Sequence, residues 1–152
     1  MMNSIVVNVD GSCRGNPGSG GWGVFIQYPT GTEEKFFGSE FQTTNNRMEL
    51  TAAIKALEKT ETLSAVPITI ISDSQYVRKG ITEWIHSWLR NDWHTAKGHP
   101  VANVDLWKKL HAASLLRMVT WQWVKGHSGD FGNEMADTLA NFGATGDPKY
   151  AV

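Results

Sequence analysis

Four carboxylates stand where an ordinary globular chain does not leave them. Asp10 ends the apolar run Ile5-Val6-Val7-Asn8-Val9, and Asp73 ends a second, Ile68-Thr69-Ile70-Ile71-Ser72. Glu49 falls within the first two turns of a helix-like segment that begins near Asn45, and Asp137 lies on another near the C-terminus. An unpaired anion in a dry site is very costly, so buried strands do not normally terminate in bare carboxylates. Four of them converging would be untenable without cations. Oxygen ligands of this kind suit hard divalent metal ions.

The elements that must bring these groups together can be read from pattern. Residues 4–10 form a strand leading to Asp10, and the Gly/Asn/Pro-rich stretch 11–21 reads as a tight connection. Trp22 to Tyr28 reads as a second strand, Pro29-Thr30-Gly31 as a turn and Lys35 to Phe41 as a third strand, most simply an antiparallel meander. Thr44-Asn45-Asn46 offers N-cap candidates for a helix reaching about Thr60. Its residues Leu50, Ala53, Ile54, Ala56 and Leu57 share one arc, and at helical spacing Glu49 falls inside that arc. That is the wrong face for a solvated glutamate.

Val66 to Ser72 is continuously apolar, as expected of a strand covered on both faces. A strand–helix–strand order implies a right-handed crossover and a parallel pair. Asp10 and Asp73 would then share the C-terminal edge of the sheet, where open α/β sheets place their sites. Ile81, Trp84, Ile85 and Trp88 follow helical spacing, residues 91–100 read as loop, and Asn103 to about Ser114 as helix. Val119 to Val124 reads as a strand with Trp121 and Trp123 assigned to the core. After the glycine-rich loop 126–132, Asn133 is the expected cap of a last helix carrying Met135, Ala136, Leu139 and Ala140, with Asp137 at the border of that face. Residues 143–152 are expected to fray.

At 152 residues the chain is read as one domain, 1–152. The single cysteine, Cys13, leaves no internal disulfide and fits a reducing compartment. No signal peptide is visible, and no apolar stretch approaches the roughly 20 residues of a membrane span, so a cytoplasmic protein without membrane contact is expected. The net charge of −1 conceals an uneven distribution: residues 78–127 hold eight Lys/Arg against three acids, with all five histidines, while each flank is net −3. A basic middle beside acidic flanks could serve a polyanion whose phosphates are also gripped by metals, although chance clustering on a solvated surface gives the same count.

The chain resembles the bacterial type 1 ribonuclease H family almost from end to end. The matching motifs are Asp10-Gly11-Ser12-Cys13 with Gly15-Asn16-Pro17-Gly18, Thr44-Asn45-Asn46-Arg47-Met48-Glu49-Leu50 and Ser72-Asp73-Ser74-Gln75-Tyr76-Val77. They continue with Asn103-Val104-Asp105-Leu106-Trp107, Trp123-Val124-Lys125-Gly126-His127, Asn133-Glu134 and Asp137. The resemblance implies an α/β ribonuclease H-like fold: a five-stranded mixed sheet, three antiparallel then two parallel strands, with helices on both faces. It further implies an enzyme, expected to be a monomer, that cuts the RNA strand of an RNA/DNA hybrid with two Mg²⁺ ions, Mn²⁺ substituting.

By position the metal ligands implied are Asp10, Glu49, Asp73 and Asp137, with Asp10 best placed to bridge both ions. His127 looks like the family's loop histidine, which shuttles protons or helps product leave, and imidazole titrates in the right range for either. Glu134 resembles an auxiliary acid. Cys13, Asn16, Asn45, Asn46 and Gln75 match a minor-groove track that senses the 2′-hydroxyl, the contact that distinguishes RNA from DNA. Thr44, Ser74 and Asn103 match a small pocket for a DNA-strand phosphate, and Trp84 a contact with DNA sugars. Family members use the Ile81–Trp88 helix and the following loop as a basic handle. Here Leu89-Arg90-Asn91-Asp92 departs from that pattern, so weaker but still salt-dependent substrate affinity is expected. Two rivals share parts of this pattern: a strand transferase on the same fold, and a hybrid-binding module that would be expected to lack a metal carboxylate.

Overall fold

The computed structural model describes residues 3–126 and 129–152. Five strands form one sheet in the order β3-β2-β1-β4-β5. β1 (Ile5–Arg14), β2 (Gly18–Gln27) and β3 (Glu33–Thr43) are an antiparallel meander. β4 (Ile68–Ser72) pairs parallel with β1, and β5 (Val119–Trp123) parallel with β4. The three-plus-two arrangement expected from sequence is therefore the one observed.

The first hairpin is longer than its glycine content suggested. Gly11 pairs with Trp22 and Arg14 with Ser19, leaving only residues 15–17 as the turn. Glycine serves here for close approach rather than for looseness. A Cβ on Gly21 would stand 2.3 Å from the Ala140 carbonyl oxygen, and one on Gly23 2.4 Å from that of Ala136. Helix α5 (Phe131–Thr145) thus lies directly on the backbone of β2. On the opposite face a Cβ on Gly11 would stand 2.5 Å from the Glu49 nitrogen, so helix α1 (Asn45–Lys59) is seated equally closely over β1.

The main core lies between the sheet and α1, and includes Ile5, Val7, Val9, Leu50, Ile54, Leu57, Ile68 and Ile70. Helix α4 (Val104–Leu115) adds Leu106, Trp107 and Leu110 to it. Each such side chain removed from water contributes about 1.5–3 kcal/mol, which fixes α1 on the sheet despite the carboxylate it carries.

The segment after β4 departs from a plain amphipathic helix. A short α2 (Gln75–Lys79) passes through a π-turn, Gly80–Trp84, into α3 (Ile85–Arg90). A Cβ on Gly80 would stand 2.0 Å from the Trp107 ring, so the helix can cross α4 only at a glycine. Ile85 is buried, Ile81 and Trp88 are half-buried, and Trp84 is 37% exposed, so the stripe is mostly packing with one ring partly free. Trp121 and Trp123 are half-buried rather than core: β5 is an edge strand, and the two rings stack on each other with centroids 5.5 Å apart.

Two further expectations change at the C-terminus. The cap of α5 is Asp130, whose carboxylate accepts from the Asn133 N–H at 2.9 Å, not Asn133 itself. The helix also continues through Thr145, and a 3₁₀ turn at Pro148–Tyr150 follows within the stretch expected to fray. Tyr150 accepts from the Arg14 guanidinium at 3.3 Å and is stacked beneath it. Among the described residues no helix is long and apolar enough to cross a membrane.

Candidate metal centre and nucleic-acid interface

Strand register puts the first two carboxylates side by side. Asn8 is level with Ile71 across the parallel β1–β4 pair, so two residues further on Asp10 comes level with Asp73, where β4 ends and β1 continues. Alternation along β1 turns Val7, Val9 and Gly11 towards α1, and Asn8 and Asp10 towards α5. A Cβ on Gly132 would stand 2.3 Å from the Asn8 amide, which confirms that face assignment.

Glu49 reaches the same edge from α1. It is 6% exposed, its helix seated against the Gly11 backbone. One carboxylate oxygen from each of Asp10, Glu49 and Asp73 lies within 4.8 Å of the others. Asp137, half-buried on α5, is not one of that trio but lies near enough to act on the Asp10 carboxyl.

Electrostatically the cluster is overloaded with negative charge. Burial, then the charges of Glu49 and Asp73 and the contact with Asp137, push the Asp10 carboxyl up to about 11. Burial, then the charge of Asp73, pushes Glu49 up to about 8 despite the opposing effect of the Asp10 carboxyl and the Gly11 backbone. Protons therefore occupy a place that a cation would take. Glu49 Oε2 is also buried, with no hydrogen-bond partner among the described residues. A buried anionic oxygen with no donor is the feature a hard cation would satisfy, and the donor set is all oxygen.

Asp73 is held from two sides that sequence reasoning passed over. The Asn133 amide, 2% exposed, donates to Asp73 Oδ2 at 3.3 Å. A Cβ on Gly126 would stand 2.7 Å from the same oxygen. Asn133 was read as a cap because Asn at a helix start is most often one. Only the cap geometry shows that Asp130 fills that role, leaving the Asn133 side chain to turn inward.

Beside the carboxylates the N-termini of α1 and α2 gather polar groups. Thr44 caps α1 by accepting the Arg47 N–H at 3.2 Å, and Ser74 caps α2 by accepting the Val77 N–H at 3.1 Å. Both hydroxyls thus use an acceptor lone pair internally and keep their own protons to give away. Asn103, left-handed at φ 59°, precedes α4 and caps nothing with its side chain. Its amide instead accepts from Arg47 at 3.3 Å and donates to the Tyr76 hydroxyl at 3.0 Å. Thr44 and Asn103 are thereby linked through Arg47, and Asn103 in turn to Tyr76, two residues after Ser74.

Asn45, Asn46 and Gln75 are exposed at the same helix ends, and Asn16 at the hairpin tip accepts the Asn45 N–H at 2.8 Å. Cys13 is half-buried, its thiol directed to the carbonyls of Thr43 and Gly18 at 3.4 and 3.6 Å. Trp84 packs edge-on against Tyr76, centroids 5.9 Å apart, which brings the π-turn to the rim of this surface. Glu134 is exposed in the first turn of α5. His127 lies outside the described residues.

A model of the RNase H family matches residues 2–145. The chain belongs to the ribonuclease H family. It is 54% identical over 144 residues to the ribonuclease H of Paracidovorax citrulli, covering 93% of this chain and 95% of that one. The ribonuclease H of Alcanivorax borkumensis is likewise 54% identical over 142 residues, with 93% and 92% covered. Among solved structures, LC9-RNase H1, a type 1 enzyme with the type 2 active-site motif, superposes with a TM-score of 0.82 at 34% identity. That match covers 96% of this chain and 74% of the other. Members of this family are nucleases, and the fold and the acidic cluster here agree with that membership.

Proposed function

We propose that the chain is an endonuclease that hydrolyses the RNA strand of RNA/DNA hybrids with two Mg²⁺ ions, for which Mn²⁺ can substitute. The observation that carries this reading is the trio Asp10, Glu49 and Asp73, gathered within 4.8 Å, with a buried Glu49 oxygen that has no partner among the described residues. Asp10, Glu49, Asp73 and Asp137 would hold the ions. Bound there, divalent ions supply a water acidic enough to attack and neutralise charge on the scissile phosphate.

The remaining work falls to this chain's own side chains. The Asn133 amide holds Asp73 in place, as outer hydrogen bonds do in metal sites generally. Thr44, Ser74 and Asn103 present free donors to a DNA-strand phosphate. Asn16, Asn45, Asn46, Gln75 and the backbone about Cys13 face the minor groove and read the 2′-hydroxyl. Trp84 lies against a DNA sugar. His127 moves a proton at the leaving oxygen or aids product departure, and Glu134 assists at the cluster's rim. The products carry 5′-phosphate and 3′-hydroxyl ends. A monomer in the cytoplasm suffices for all of these roles.

The test is cleavage of labelled RNA/DNA hybrid, double-stranded RNA and double-stranded DNA, with Mg²⁺ or EDTA, by wild type and Asp10→Asn. Cleavage of the hybrid alone, abolished by chelation and by the substitution, is expected. Equal cleavage of double-stranded DNA, or full activity of Asp10→Asn, overturns the proposal.

A further inference from the structure

The Asn103 side chain is an amide that could face a ligand with either end. Its carbonyl oxygen would repel a phosphate, and its N–H would bind one. Which end faces outward is settled by its two neighbours. The Arg47 guanidinium carries only donors, so its 3.3 Å contact must be made by Asn103 Oδ1. Arg47 is itself clamped, both guanidinium nitrogens gripping Asp105 at 3.0 and 2.8 Å in a fork geometry.

At the other end Asn103 Nδ2 donates to the Tyr76 hydroxyl at 3.0 Å, and the Trp107 indole donates to the same oxygen at 2.9 Å. Both acceptor positions of that hydroxyl are then filled, and Tyr76 is pinned by ring contacts to Trp84 and Trp107. One N–H of Asn103 remains unspent. A left-handed backbone, which asparagine tolerates better than other side-chain-bearing residues, sets the amide at the junction of α1, α2 and α4.

We propose that Arg47, clamped by Asp105, and Tyr76 are positioning residues that lock the Asn103 amide with its free N–H facing the DNA-strand phosphate. The inference rests on the reading of Asn103 as a phosphate contact and adds the reason that contact has the right polarity. Without Arg47 the amide is free to turn its carbonyl outward. Without the Tyr76 hydroxyl the amide nitrogen loses its anchor, and the ring packing stays.

The test is steady-state cleavage of a hybrid by wild type, Tyr76→Phe, Arg47→Met and Asn103→Gly, and by the two doubles that contain Asn103→Gly. Glycine keeps the left-handed backbone and removes only the amide. Each reaction is repeated on hybrids bearing a neutral methylphosphonate at successive DNA-strand positions. Loss of one hydrogen bond to a charged group predicts a KM rise of roughly tenfold for Asn103→Gly with kcat unchanged. Tyr76→Phe and Arg47→Met should raise KM with kcat unchanged, add little on the Asn103→Gly background, and blunt the penalty of the methylphosphonate that wild type feels most.

If Asn103→Gly leaves KM unmoved, the phosphate reading of the pocket fails. If Asn103→Gly raises KM while the two other variants do not, or while their effects add in full to it, the positioning inference fails and the pocket reading stands. Tyr76→Phe, which keeps the ring stack, carries the test should Arg47→Met fold poorly.

Discussion

In the metal-free protein Asp10→Asn should be more stable than wild type, and increasingly so as pH rises. The Asp10 carboxyl is displaced from 3.8 to about 11, by burial first and then by Glu49, Asp73 and Asp137. Above about pH 4 the unfolded chain has released this proton while the folded protein retains it, so folding takes up one proton across the interval. Uptake on folding makes stability fall with rising pH, by about 1.4 kcal/mol per unit for a single proton. Asparagine has no such slope. From about pH 6 to about pH 8 the variant's advantage should therefore widen by about 2–3 kcal/mol. Urea denaturation of both proteins in EDTA across this range measures the difference, and titrations common to both cancel. Saturating Mg²⁺ should shrink or reverse the gap, because an ion held by the carboxylates as proposed would stabilise folded wild type. A variant less stable than wild type in EDTA near pH 8, or a gap that ignores pH, would refute the reasoning.

Three further outcomes are expected. Asn133→Ala removes the 3.3 Å donor to Asp73 and should weaken Mn²⁺ binding by about 10–100-fold, read by titration calorimetry. Gly23→Ala forces a methyl to 2.4 Å from the Ala136 carbonyl and should cost about 1–3 kcal/mol, seen as a lower thermal midpoint. Restoring charge to the handle should lower KM for hybrid, chiefly at higher salt. Since Asp92 has φ 52°, where lysine is strained, Leu89→Lys with Asp92→Asn is the suitable pair.

Much of the site was legible because its signals are local. Glu49 in an apolar arc and Asp10 and Asp73 ending apolar runs needed only periodicity and a crossover rule to meet at one edge, and the fold brings them within 4.8 Å. What escaped was decided by partners distant in sequence. Gly18, Gly20 and Gly21 look like loop until the turn, the start of α1 and α5 are set against β2, whereupon each reads as a strand position with no room for a side chain. Gly80 gives no sign that the Trp107 ring lies against it, so the π-turn is invisible locally. Asn133 and Asp130 are equally good caps by type, and only the fold chooses between them. The half-burial of Trp121 and Trp123 follows from β5 being an edge, a property of strand order rather than of the strand.

The bare backbone of β2 has a consequence for timing. Because α5 rests on it and carries Asp137, the fourth carboxylate arrives from the last long helix of the fold, well over a hundred residues after the first. A chain still emerging from the ribosome can hold Asp10, Glu49 and Asp73 yet lack the member that closes the set. On the proposed reading of the four carboxylates, the ion site stays incomplete until α5 has docked on β2, so its completion marks the closing of the whole fold.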